Sequence, residues 1–218
     1  MTERSDHFRV LSGAKLPNAE RLKFFTDAVV AIALTLLILP LLESVSDAAT
    51  HHLRTAQVLS GHGAQLFSFA LSFWVVASFW NVHHRVFEHV EHVTPALNVL
   101  NFAWMFNIVF LQFSTALVGS QSTDRLLLLL YIGPMALCSL LMSAIALLIT
   151  RSEAVRGTLS TFPPARVAAS LASSALFVGA LLLAVALPRV GFFSLLLLLP
   201  SSPMQERIAG WMERRSRR

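Results

Sequence analysis

Apolar blocks of about 20 residues recur along the chain with polar breaks between them, and about that length of helix is needed to cross a bilayer core. In hydrocarbon the backbone must satisfy its own hydrogen bonds, so each block is expected to be a membrane-spanning helix. The composition agrees: 13% of the 218 residues are charged and 55% are apolar, whereas a soluble domain carries roughly 25% charge. The expected fold is an all-α polytopic membrane protein. Five spans are read at Phe24 to Leu42, Ala64 to Val82, Ala96 to Val118, Leu126 to Thr150 and Val167 to Leu187. A sixth starts at the short run from Val190 and continues through Pro200 and Pro203 to Met204. The expected organisation is a segment over 1–23, a six-helix membrane domain over 24–204 and a basic tail over 205–218.

The charges argue for the same count. Lys and Arg outnumber Asp and Glu by 17 to 12, with a pI of 10.6, but the basic residues lie between and after apolar blocks. They read as topology determinants, and no nucleic-acid partner is expected. With six spans and both termini cytoplasmic, one side holds five basic residues before the first span, Arg85, three in 151–166 and five in the tail. The other side holds Arg54, Arg125 and Arg189. The first 23 residues mix Glu3, Asp6 and Glu20 with five basic residues and contain no apolar core, so no cleaved signal peptide is expected. The single cysteine, Cys138, lies in an apolar stretch and is expected to be buried packing.

Polar groups inside spans are costly and need a partner or a task. Asp27 stands near the start of the first span behind Arg21, Lys23 and Thr26. One reading is a capping carboxylate paired with Arg21. Another joins it to His83, at the end of the second span, and Asn101, in the third, in a hydrogen-bond network near the inner leaflet. His83, His84, His89 and His92 with Glu88 and Glu91 lack the facing helical ligands that a haem or carboxylate di-metal site needs, so no metal is expected. No catalytic triad, phosphate-cradling glycine loop or paired catalytic carboxylates appear within the spans, and no enzyme activity is expected. A Thr-Val-Gly-Tyr-Gly potassium filter is absent from the sequence.

Beyond Asp27 the first span places Ile32, Leu36 and Leu39 at i, i+4 and i+7, with Thr35 close to the same face. The run Arg21-Leu-Lys-Phe-Phe25-Thr26-Asp27 resembles the first-helix signature of the transmembrane protein 175 family of potassium channels, R-x-x-x-F-S-D, with Thr26 in place of serine. Trp80-x-x-His83-His84, Asn101 and Phe113-Ser-Thr115-Ala-Leu117 are similar to further motifs of that family, with Gln112 where the family has proline. The resemblance covers the first 120 residues or so at motif level, and six spans agree with the bacterial form.

That resemblance implies a homotetramer in the plasma membrane, with the first helix of every subunit lining the pore. It implies an apolar constriction at Ile32, narrow rings at Leu36 and Leu39, and a ring of hydroxyls at Thr35 that selects ions. Arg21, Phe25, Thr26, Asp27, Trp80, His83, His84 and Asn101 are then expected to hold the pore helices in register. No cofactor is implied; potassium is the permeant species and the lipid bilayer the surrounding solvent. Two other readings stand beside it: a proton-coupled transporter using Asp27 and His83, and a non-conducting membrane scaffold.

Overall fold

The computed structural model describes residues 18–50, 54–120, 124–156 and 162–186. Eight helices follow one another among them: α1 (Glu20–Leu36), α2 (Leu39–Thr50), α3 (Thr55–Gly61), α4 (Gly63–Phe87), α5 (Pro95–Ser120), α6 (Arg125–Arg151), α7 (Glu153–Arg156) and α8 (Pro164–Ala186). Five helical stretches are long and apolar enough to cross a membrane: Glu20–Ser46, Gly63–Phe87, Pro95–Val118, Arg125–Arg151 and Pro164–Ala186. They fall on the five apolar blocks. The sixth expected span, from Val190 to Met204, lies outside the described residues, as do the basic tail and most of the segment over 1–23.

Helix ends follow caps and prolines rather than apolar content. The first span begins at Glu20, before the apolar block, where the Asn18 carboxamide oxygen accepts the Glu20 amide at 3.1 Å. It breaks at 37–38 because Pro40 has no N–H for the Leu36 carbonyl and its ring crowds that position. The helix resumes at Leu39, which leaves Pro40 in a first turn, where proline is tolerated. Thr94 Oγ1 accepts the Leu97 amide at 3.3 Å to open α5, and Asp124 Oδ1 accepts the Leu127 amide at 2.7 Å to open α6.

The helices pack side by side in the order α1, α4, α5, α6, α8, with α1 also against α5. At the centre, α6 carries Leu128, Tyr131, Ile132, Met135, Cys138, Ile145 and Ile149 wholly out of contact with solvent. Cys138 is free and buried, as expected, and Asn107 Nδ2 donates to its Sγ at 3.0 Å and to the Pro134 carbonyl at 2.5 Å. Between α6 and α8, Ser143 Oγ meets Ser170 Oγ at 2.9 Å and Ser174 Oγ at 2.8 Å, a close approach that small side chains permit.

At one end of the bundle, backbone bonds clamp the connection after α4. The Ala19 amide donates to the Glu91 carbonyl at 3.1 Å, while the Glu91 and His92 amides donate to the Val155 carbonyl at 2.9 and 3.1 Å. The base of α1 is thereby fixed to the connections on both sides of the central helices. Toward the other end, Ser44 Oγ donates to Gln65 Oε1 at 2.6 Å and ties α2 to α4.

Candidate functional site

The first span, made of α1 and the start of α2, has two distinct faces. Thr26, Val30, Ala33, Leu37, Leu41 and Ser44 are buried against the chain's own helices at helical spacing. On the opposite side Ile32 is 59% exposed, Leu39 48% and Leu36 39%, and Thr35 is also exposed. Among the described residues nothing covers them. The Thr35 hydroxyl donates to the Ile32 carbonyl at 2.8 Å, so its proton is engaged within the helix and its oxygen keeps acceptor capacity toward the open side.

The buried face is locked by a chain of polar bonds through three helices. Asn101 Nδ2 on α5 donates to Thr26 Oγ1 at 2.8 Å, and Thr26 Oγ1 in turn donates to the Leu22 carbonyl at 2.8 Å. The other end of the same carboxamide, Asn101 Oδ1, lies 2.7 Å from His83 Nε2 on α4, and since a carboxamide oxygen only accepts, the imidazole carries its proton on Nε2. All three side chains are buried. The His83 ring is stacked between Phe87 at 4.0 Å and Trp104 at 4.4 Å, which fixes its plane and its distance to Asn101.

Asp27 stands beside this chain of bonds and outside it. Its Oδ1 accepts from the Trp80 indole N–H at 2.9 Å, and the Trp80 ring lies 5.5 Å from that of His84. The alternative of a capping carboxylate paired with Arg21 does not hold. Asp27 sits two turns inside α1, because the helix begins at Glu20, and the described ion pairs are Arg156 with Glu153 and Arg166 with Glu88. The direct junction of Asp27 with His83 and Asn101 is also replaced: Thr26 takes that place, since it faces the neighbouring helices while Asp27 points toward Trp80. Phe25 meets Phe102 of α5 at 6.1 Å, and Arg21 is exposed.

Some partners were not anticipated. Phe87 lies one turn beyond His83, and Trp104 one turn beyond Asn101, so the helical spacing held a signal for the aromatic stack. A second polar cluster joins Thr115 Oγ1 to Ser72 Oγ at 2.8 Å and Ser72 Oγ to the Tyr131 hydroxyl at 2.9 Å. It draws on three helices, and no local spacing pointed to it. Among the described residues no group of three or more His, Cys, Asp or Glu side chains is arranged to hold a metal ion.

A bundle of apolar helices around buried polar ties, with large apolar side chains exposed on the first span and on the other long helices, defines a multi-pass helical membrane protein. Residues 21–111 match the family model described as endosomal/lysosomal potassium channel TMEM175. Over those residues, which carry α1 to most of α5, the chain is similar to the TMEM175 family. It is 33% identical over 102 residues to a potassium channel of Streptomyces collinus, covering 45% of this chain and 47% of that one. The human endosomal/lysosomal proton channel TMEM175 is 33% identical over 115 residues, 49% of this chain and 23% of that one. The zebrafish (Danio rerio) protein of the same name is 25% identical over 130 residues, 60% of this chain and 25% of that one. The chain thus spans about a quarter of the length of these animal relatives and about half of the bacterial one. The fold matches the crystal structure of a lysosomal potassium-selective channel TMEM175 homolog from Chamaesiphon minutus, with a TM-score of 0.62, 21% identity, and coverage of 87% of this chain and 95% of that one.

Proposed function

We propose that the chain is the subunit of a homotetrameric, potassium-permeable cation channel of the plasma membrane, with α1 of each subunit lining the pore. The observation that carries this reading is the two-faced first helix. Its inner side is bound through Thr26 to Asn101 and His83, while Ile32, Thr35, Leu36 and Leu39 are left uncovered. Four copies facing an axis bring four Ile32 side chains together as an apolar constriction, which excludes water and gates by dewetting. Beyond it, four Thr35 oxygens replace part of an ion's hydration shell. Leu36 and Leu39 continue the narrow section over about 10 Å of axis. The remaining helices hold α1 in register and face lipid.

The relatives' names support a channel over an enzyme, and they name two permeant ions, potassium and protons. The proton is therefore the second permeant species to measure. Replacing Ile32 by asparagine places four carboxamides at the constriction and wets it. In planar bilayers, Ile32→Asn is expected to raise open-state current and lower the potassium-to-sodium permeability ratio. An unchanged current–voltage relation and selectivity in a folded Ile32→Asn tetramer contradicts the pore assignment.

A further inference from the structure

The hydrogen-bond ladder of the first span lapses one turn beyond Ile32. In an unbroken helix the Leu36 carbonyl accepts the amide of the residue four places on, but that residue is Pro40, which has no N–H. No neighbouring amide substitutes for it: the Ile38 amide donates to the Thr35 carbonyl at 3.4 Å, and the Leu41 and Leu42 amides both donate to the Ile38 carbonyl, at 3.0 and 3.1 Å. Among the described residues no hydrogen bond reaches the Leu36 carbonyl oxygen. A helical carbonyl points along its helix toward the residue four places on, so this oxygen is aimed from Leu36 toward Pro40. Leu36 is 39% exposed and Pro40 partly exposed. The oxygen therefore opens to the uncovered side of the span, which carries Ile32, Thr35 and Leu39, and away from Leu37 and Leu41, which are buried against the other helices.

The break falls inside the apolar block 24–42, with Ile38, Leu39, Leu41 and Leu42 beyond it. In hydrocarbon an unpaired backbone group costs several kcal/mol, and irregular backbone at membrane depth persists only where it is buried in protein or lines water. The Leu36 oxygen faces away from the chain's own helices, so water is the surrounding that suits it. In a tetramer built around this face, four such oxygens stand about 6 Å beyond the four Ile32 residues along the axis. They form a ring of uncharged, hard donors. Such a ring replaces part of the hydration shell of an alkali cation, whereas a divalent ion such as magnesium gives up its water reluctantly. We propose that the Leu36 backbone carbonyls form a monovalent-cation binding ring beyond the constriction, with Pro40 as the positioning residue that keeps them unpaired. The proposal rests on the pore reading above and adds to it a layer of backbone ligands next to the Thr35 hydroxyls.

The test is single-channel recording of the full-length protein in planar bilayers over a graded series of potassium concentrations. An ester in place of the Leu36–Leu37 amide, introduced as the hydroxy-acid counterpart of leucine at position 37, weakens the Leu36 carbonyl as a ligand and leaves every side chain in place. It is expected to raise the potassium concentration at half-maximal conductance by about threefold, or about 0.7 kcal/mol, while N-methylglucamine stays excluded. Pro40→Ala gives the Leu36 carbonyl a helical donor and is expected to shift the curve the same way, so it decides the matter should the ester protein not assemble. A control ester in place of the Ala33–Leu34 amide weakens a carbonyl aimed at buried Leu37 and is expected to leave half-saturation at the wild-type concentration. Wild-type half-saturation in the Leu36–Leu37 ester, or in conducting Pro40→Ala protein, means that these oxygens hold water alone and overturns the proposal. An equal rise in the control ester overturns it too, since the shift then reports damage to the helix. A wild-type protein that passes no ion removes the pore reading and the ring together; a conducting wild type with unshifted variants removes the ring alone.

Discussion

At the scale of single residues, the bonds of Asn101 carry more than those of Asp27. One carboxamide serves Thr26 and His83 at once, in a place where neither finds water. Asn101→Leu strips both, and polar ties between membrane helices average about 0.6 kcal/mol each with individual values up to about 1.7. The expected loss is about 1 to 3 kcal/mol, read as a lower melting temperature and a smaller tetramer fraction in gel filtration. Asp27→Ala removes one bond from a partly exposed pair. It is expected to lower assembly yield while leaving the conductance of each assembled channel near wild type. Outside the spans, His89 packs edge-on against Phe162. Burial holds its pKa below the usual histidine value, and neighbouring Arg166 and Lys23 push the same way against Glu88 and a bond to the Arg85 carbonyl. The docked ring is harder to protonate than a released one, which takes a proton near pH 6.5, so docking is favoured above that pH and weakens as pH falls below it. Hydrogen exchange in 88–94 is expected to rise on acidification from about pH 7.5 to 5.5 beyond the change in intrinsic rate, and His89→Phe to remove that excess.

Among the elements, α6 and α8 form the part of the bundle farthest from α1, and their contact relies on small residues. Ser143 touches both Ser170 and Ser174. Ser143→Leu forces a bulky side chain into this seam and is expected to cost about 1 to 3 kcal/mol, while Ser143→Ala costs about 1 kcal/mol or less. Thermal melting in detergent measures both. Ion selectivity in the folded Ser143→Ala protein is expected to be unchanged, because the stripe proposed to line the pore is carried on another helix. The five blocks of apolar residues were legible in the sequence because a membrane span is a matter of length and hydropathy. Their ends were less so: α1 gains a turn before Phe24, where Asn18 accepts the Glu20 amide, and α4 runs on through His83, His84 and Arg85 to Phe87. Which polar residue meets which was only partly legible. Asn98, Asn101 and Asn107 share one helix, and only the rotation of α5 against α4 decides that Asn101 reaches His83 while Asn107 reaches Cys138.

For the molecule as a whole, the motif resemblance and the structure meet at the first helix. The stripe of Ile32, Leu36 and Leu39 was read from spacing, and its exposure on the folded subunit is what makes assembly around it the economical reading. A pore and a scaffold differ in flux. The most direct measurement is ion-gradient-driven flux into proteoliposomes holding the purified protein, with potassium, sodium, N-methylglucamine and a proton gradient run in parallel beside Ile32→Asn. The channel account predicts fast potassium uptake that exceeds sodium, excludes N-methylglucamine, and rises with loss of selectivity in the variant. Folded, tetrameric protein that passes no ion, or that moves potassium only when a proton gradient drives it, contradicts that account.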